Sequence, residues 1–145
     1  MFIGKYEHIL DSKGRICVPA KIRDTLRENY QDEKLILTCY EKNYLVAYPI
    51  EEWLQIGQKI RQAPNMNEKQ LNELKRILFS NASEVSFDRQ GRILIPPEMR
   101  AKAGIDKEAV MVGVMNKIEI WARDKWLEFE STTHLDLAQL ASFGI

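Results

Sequence analysis

Apolar and polar residues alternate over residues 117–121, which puts Ile118 and Ile120 on the inner face of a strand and Lys117 and Glu119 outside. The runs "RICV" (15–18) and "RILI" (92–95) are short and β-branched, and Pro19 and Pro96 stop them, so both read as strands. "LILTCY" with "YLVAY", and "AVMVGVM" with "KIEIW", predict two hairpins, the second turning near Asn116. Elsewhere the period changes to that of a helix. Ile22 and Leu26 share one face, as do Met99 and Ala103. Pro19 and Pro96 suit the first helical position, where a missing N–H costs nothing, and Gly104 supplies a left-handed stop. A further helix starts after Pro49 with Glu51 and Glu52 at its positive end. Leu71, Leu74, Ile77 and Leu78 predict a bridging helix packed into the core, with Asn67 as its cap. Residues 133–145 fit either a weak helix or an arm onto a neighbour.

The pattern occurs twice. "DSKGRICVPAKIR" (11–23) returns as "DRQGRILIPPEMR" (88–100) with six of thirteen positions identical, where roughly one match is expected from average residue usage. The likeness resumes in "NYLVAYPIEEWL" (43–54) and "NKIEIWARDKWL" (116–127), pairing Asn43 with Asn116, Tyr48 with Trp121 and Trp53 with Trp126. Each half reads strand, turn, strand, short helix, strand, turn, strand, helix. A spacing of about 75 residues is too long for a solenoid unit, so duplication of a small domain is the simpler account. The expected division is a first repeat at 5–50, a helical connector at 51–80, a second repeat at 81–124, and a C-terminal helix and tail at 125–145. Trp53, Trp121 and Trp126 read as core anchors, and Tyr40, Tyr44 and Tyr48 as cross-strand packing residues.

Asp-x-x-Gly-Arg has a local reading that needs no function. Asp11 and Asp88 suit the first position of a type I turn, where the carboxylate accepts backbone N–H groups ahead of it. Gly14 and Gly91 follow where a left-handed conformation closes the bend. Arg15 and Arg92 are less easily absorbed. Each can hold its loop shut by pairing with its own Asp, yet a surface ion pair contributes only about 0–1 kcal/mol. A planar fork that contacts phosphate or a guanine edge is the functional reading, compatible with an orienting Asp.

Charge sharpens this picture. The 145 residues carry 21 basic and 21 acidic side chains, for a formal net charge of zero. Yet residues 11–27 hold five basic residues against two acidic, and residues 88–102 hold four against two. Both repeats are locally basic within a neutral chain. Cys17, Cys39, His8 and His134 lack the paired spacing of a metal site. No Ser/His/Asp ordering or phosphate-cradling glycine loop supports catalysis. No apolar run is long enough to cross a bilayer and no secretory signal is visible, so a soluble intracellular protein is expected, with no cofactor and no membrane partner.

Two copies of Asp-x-x-Gly-Arg, each followed by a β-run and proline, together with the opening "MFIGKYEHILDSKGR" and the segment "FSNASEVSFDRQGRILIPPEMR", resemble the MraZ family of bacterial proteins. The resemblance covers essentially the whole chain. It implies a mixed α+β fold: a duplicated swapped-hairpin (AbrB-like) β-barrel with short flanking helices, pseudo-twofold within one chain. It further implies a transcriptional regulator, not an enzyme, that binds double-stranded DNA at short direct repeats in the promoter of its own division and cell-wall operon. Assembly as a head-to-tail homo-oligomeric ring and a cytoplasmic, nucleoid-associated location are implied too. The family's DNA-binding motif maps onto Asp11, Gly14 and Arg15, and onto Asp88, Gly91 and Arg92. Lys13, Arg89, Arg23 and Arg100 are expected to add phosphate contacts. The competing reading is a ring-forming structural module without DNA readout, its Arg–Asp pairs spent on subunit interfaces. RNA is disfavoured because no aromatic stacking platform is present.

Overall fold

The computed structural model describes residues 1–145. The first half runs β1 (Lys5–Ile9), β2 (Arg15–Cys17), α1 (Ala20–Tyr30), β3 (Lys34–Thr38), β4 (Tyr44–Pro49) and α2 (Ile50–Arg61). Helix α3 (Glu68–Ser80) follows, and the second half repeats the order as β5 (Ala82–Ser86), β6 (Arg92–Leu94), α4 (Pro97–Ala103), β7 (Glu108–Val114), β8 (Lys117–Ala122) and α5 (Arg123–Thr132). A short helix, α6 (Leu137–Ser142), ends the chain.

Six strands form one antiparallel sheet in the order β1-β7-β8-β4-β3-β5, while β2 pairs only with β6. The first strand of each repeat adds to the hairpin of the other: β1 lies on β7, and β5 lies on β3. Exchanging the repeats turns the sheet order into itself read backwards, which is a pseudo-twofold axis. That axis passes through two pairs of equivalent strands, β4–β8 and β2–β6. At the second, Ile16 faces Ile93, the same position of the two repeats. The fold is therefore α+β with exchanged strands, and neither repeat completes its sheet alone.

A continuous closed barrel is not what the pairing gives. Strands β1 and β5 are the two edges of an open sheet, and β2 and β6 form a separate three-residue ribbon. The cause is local: Pro19 and Pro96 follow each ribbon strand closely, and proline has no N–H to extend a ladder. The prolines also sit one place earlier than the sequence suggested. Pro19 and Pro96 are N-caps, and Pro97 takes the first position of α4.

The main core gathers inward positions from both repeats, among them Ile16, Ile22, Leu26, Leu37, Ile93, Ile95, Met111, Ile118 and Ile120. Helices α1 and α4 bury Ile22 with Leu26 and Met99 with Ala103, the pairs that the 3.6-residue period picks out. Gly104 ends α4 at φ 67°. Tyr44 stacks on Trp121 across β4 and β8, and the hydroxyls of Tyr40 and Tyr48 lie 3.0 Å apart.

Helix α3 differs from expectation. Asn67 and Gln70 form a full capping box, but the helix buries no residue, and Ile77 and Phe79 are exposed. Phe79 meets Trp53 edge to face, and Lys75 and Phe79 line a groove with α2. Trp53 and Trp121 are buried as anchors, whereas Trp126 is only half-buried, on the outer face of Trp121. Cys17 and Cys39 are both free thiols, and burial pushes that of Cys39 up from its ordinary pKa.

Candidate nucleic-acid interface

The site is built on the β2–β6 ribbon. Side chains alternate across a strand, so Ile16 and Ile93 point into the core while Arg15, Cys17, Arg92 and Leu94 share the outer face. The register sets Arg15 opposite Leu94 and Cys17 opposite Arg92. The two arginines are thus diagonal neighbours, roughly 7–8 Å apart on the backbone and within reach of long side chains. Their side chains are 33% and 26% exposed, open to solvent but partly walled.

Each arginine is held from the bend before it. In the first loop the Gly14 N–H donates to the Asp11 carbonyl at 3.0 Å, and Gly14 adopts φ 85°. Asp11 Oδ1 accepts the backbone N–H groups of Lys13 and Arg15, both at 2.9 Å, while Oδ2 accepts Arg15 Nε at 2.7 Å. The second loop repeats this. Gly91 has φ 73°, Asp88 Oδ1 accepts from Gln90 and Arg92 N–H, and Oδ2 accepts Arg92 Nε at 2.8 Å. In addition Arg92 Nη1 reaches Asp11 Oδ2 at 3.5 Å, so both guanidinium groups converge on one carboxylate. Because Asp engages the inner Nε, the paired Nη groups at the tip of Arg15 remain free for an external acceptor.

Donors around the carboxylates fix their charge. The Arg15 backbone N–H, then its guanidinium and the Lys13 N–H, hold Asp11 down from 3.8 to about 2. The Arg92 backbone N–H and guanidinium lower Asp88 in the same direction. A depressed carboxylate stabilises the fold above its unfolded pKa and loses that contribution as pH falls through the folded value. The stability difference between the wild type and Asp11→Asn is therefore expected to stay constant above about pH 5 and to close between 3.8 and about 2. Thermal unfolding of both proteins as a function of pH checks this.

The remaining sequence candidates separate into two groups. Lys13 and Arg89 are exposed on the loops, though at non-equivalent positions, third and second in their turns. Arg23 and Arg100 do not project as free cations. Arg23 Nε donates to Val18 O and Arg100 Nε to Ile95 O, each at 3.1 Å. Their guanidinium groups lie against Gly91 and Gly14 of the opposite repeat. Sequence reading missed this cross-repeat contact. The second identical Arg of the thirteen-residue repeat was its one visible signal. No group of three or more His, Cys, Asp or Glu side chains converges as a metal site would require.

The family described as "MraZ protein, putative antitoxin-like" matches this chain twice, over residues 1–76 and 78–142. The chain belongs to the MraZ family. Relatives bearing the name "Transcriptional regulator MraZ" align over nearly their full length. The one from Clostridium tetani is 43% identical over 141 residues, 97% of this chain and 94% of the relative. That from Lachnoclostridium phytofermentans is 40% identical, covering 97% and 93%. The MraZ of Pediococcus pentosaceus is 40% identical over 149 residues, covering both chains completely. The boundary between the two MraZ matches, at residue 77, falls near the C-terminal end of α3, just before β5 opens the second half. MraZ is a family of regulators rather than enzymes. No helix of the chain is long and apolar enough to cross a membrane.

Proposed function

We propose that this protein is a DNA-binding transcriptional regulator that reads double-stranded DNA with the outer face of the β2–β6 ribbon. One observation carries the reading: Arg15 and Arg92 sit side by side on a solvent face, each held through Nε by its own Asp, with the Arg15 tip open and one Nη of Arg92 turned to Asp11. A guanidinium held this way is a pre-oriented fork for a guanine edge or a phosphate. Asp11, Gly14, Asp88 and Gly91 shape the two loops, and Lys13 and Arg89 add charge at their rims.

One neutral subunit with a small basic face binds DNA weakly at cellular salt. Several copies in a closed ring gain affinity by presenting successive faces to successive direct repeats, which fits the promoter of the protein's own division and cell-wall operon. The repeat division at 5–50 and 81–124, the connector at 51–80 and the tail at 125–145 belong to this reading, as do a cytoplasmic setting and association with the nucleoid. The assembly is supported by unpartnered apolar ends. In the tail Leu135, Leu137, Phe143 and Ile145 are 75–82% exposed, and Leu54, Ile77 and Phe79 of α2 and α3 are open as well. Leu137→Glu combined with Phe143→Glu is expected to lower the solution mass from a multimer towards the monomer. Light scattering after size exclusion reads it, and an unchanged mass removes the tail from the interface.

The direct test of function is a band-shift titration on DNA upstream of the protein's own gene, at several salt concentrations, with scrambled repeats as controls. Preference for the intact repeats supports the regulator. A ring that shows no such preference favours the purely structural module.

A further inference from the structure

The two loops of the reading face are braced by helices of the opposite repeat. A Cβ built on Gly14 would meet Arg100 at 2.6 Å from Cζ, 2.8 Å from Nε and 2.9 Å from Nη2. On Gly91 it would meet Arg23 at 2.7 Å from Cζ, 2.8 Å from Nε and 3.0 Å from Nη1. Such nearly equal distances, shortest to the central carbon, place the glycine Cα over the flat face of the guanidinium. The two surface-loop glycines are buried. A second connection runs beside each stack. Val18 N–H donates to Gly91 O at 2.9 Å and Ile95 N–H to Gly14 O at 3.0 Å, while the carbonyls of the same two residues hold Arg23 and Arg100 through Nε.

Building on the DNA-reading face, we propose that Arg23 and Arg100 are positioning residues. Each clamps the Asp-x-x-Gly-Arg loop of the other repeat and so fixes the aim of the reading arginine it carries. Arg23 governs Arg92, and Arg100 governs Arg15. The geometry accounts for three identities at once. The loop residue is glycine because φ is positive and because a Cβ would evict the guanidinium. The brace is arginine because only a planar group lies flat on a peptide while donating sideways from Nε. Both features recur in both repeats because each loop is completed by the other half.

The alternative, that these arginines are phosphate contacts, predicts different results. A brace needs planarity and Nε, so Arg23→Lys keeps the charge but loses the function. Relative to wild type, Arg23→Lys and Arg100→Lys are each expected to weaken binding to the intact upstream repeats by about tenfold or more, the loss of one misaimed bidentate contact. The salt slope and binding to scrambled DNA stay unchanged. A phosphate contact would instead survive the lysine change, and Arg23→Ala would reduce the salt slope by about one.

Amide hydrogen exchange on the free protein supplies a readout independent of DNA. Arg23→Lys is expected to deprotect residues 88–92 while sparing 11–15, and Arg100→Lys the reverse. Unchanged protection in both variants, or full DNA affinity in both, overturns the brace. If the crossed deprotection appears but the wild type shows no preference for the upstream repeats, the brace stands and the DNA-reading function falls.

Discussion

Arg15→Ala combined with Arg92→Ala is expected to abolish preferential binding to the upstream repeats while leaving the fold intact. A well-aligned bidentate Arg contact discriminates by about 1–3 kcal/mol, so each single change should cost roughly 5–150-fold for intact repeats. The double variant removes two adjacent cations and leaves Asp11 and Asp88, ionised far below neutral pH, facing the duplex without their partners. The face changes from basic to balanced, with only Lys13 and Arg89 left against the two carboxylates. Specific binding should vanish, and the magnitude of the salt slope should drop by about two. The two singles are not expected to add, because both guanidinium groups contact Asp11. Anisotropy titrations at three salt concentrations measure all of this. Wild-type affinity in the double variant would sink the ribbon as the reading face.

The second large effect concerns stability. Ile16 and Ile93 face each other on the pseudo-twofold axis and are 0% and 1% exposed. Truncating a buried isoleucine to alanine costs about 2–5 kcal/mol, through lost transfer energy and the cavity left behind. Against a typical total of about 5–15 kcal/mol, Ile93→Ala alone should lower the unfolding midpoint clearly, and the pair should leave little folded protein at 37 °C. The two cavities meet, so the double cost is not a simple sum. Denaturant unfolding with an unchanged slope checks the singles. A loss under about 1 kcal/mol for Ile93→Ala would mean that the ribbon is not a core element. The two substitutions are also linked to function, because the residues flanking these isoleucines are the reading arginines.

Helix α3 shows where pattern alone misleads. Leu71, Leu74, Ile77 and Leu78 have the spacing of a core stripe, yet none of them is fully buried and Ile77 lies open to solvent. Periodicity reports that a helix has an apolar side, not what that side meets. Trp126 is only half-buried: it meets Trp121 edge to face and Phe129 at a tilt, outside the two buried clusters.

Turn chemistry was more dependable. Asp and Gly three positions apart define the bend through bonds within five residues, so Asp11–Arg15 and Asp88–Arg92 could be read locally down to the ion pair. The repeat itself declared the pseudo-twofold relation, and the proline after each ribbon strand declared where the ladder stops. Arg23 and Arg100 were read as charges because sequence presents them as charges. What they touch lies 68 and 86 residues away in the chain, on Gly91 and Gly14.

By itself, then, the sequence determined the elements up to the C-terminal tail, both bends, the duplication and the family, since each rests on short-range geometry or on identity between aligned positions. The resemblance already implied hairpins exchanged between the repeats, and the tertiary structure decided their register and that the sheet stays open. It set Arg15 diagonally beside Arg92, on the shared face that the resemblance implied for the two loops, and it alone put a guanidinium from each half on the glycine of its counterpart. Those outcomes depend on which strand edges find each other across the chain, and strand exchange leaves no periodic signature in the residues that undergo it.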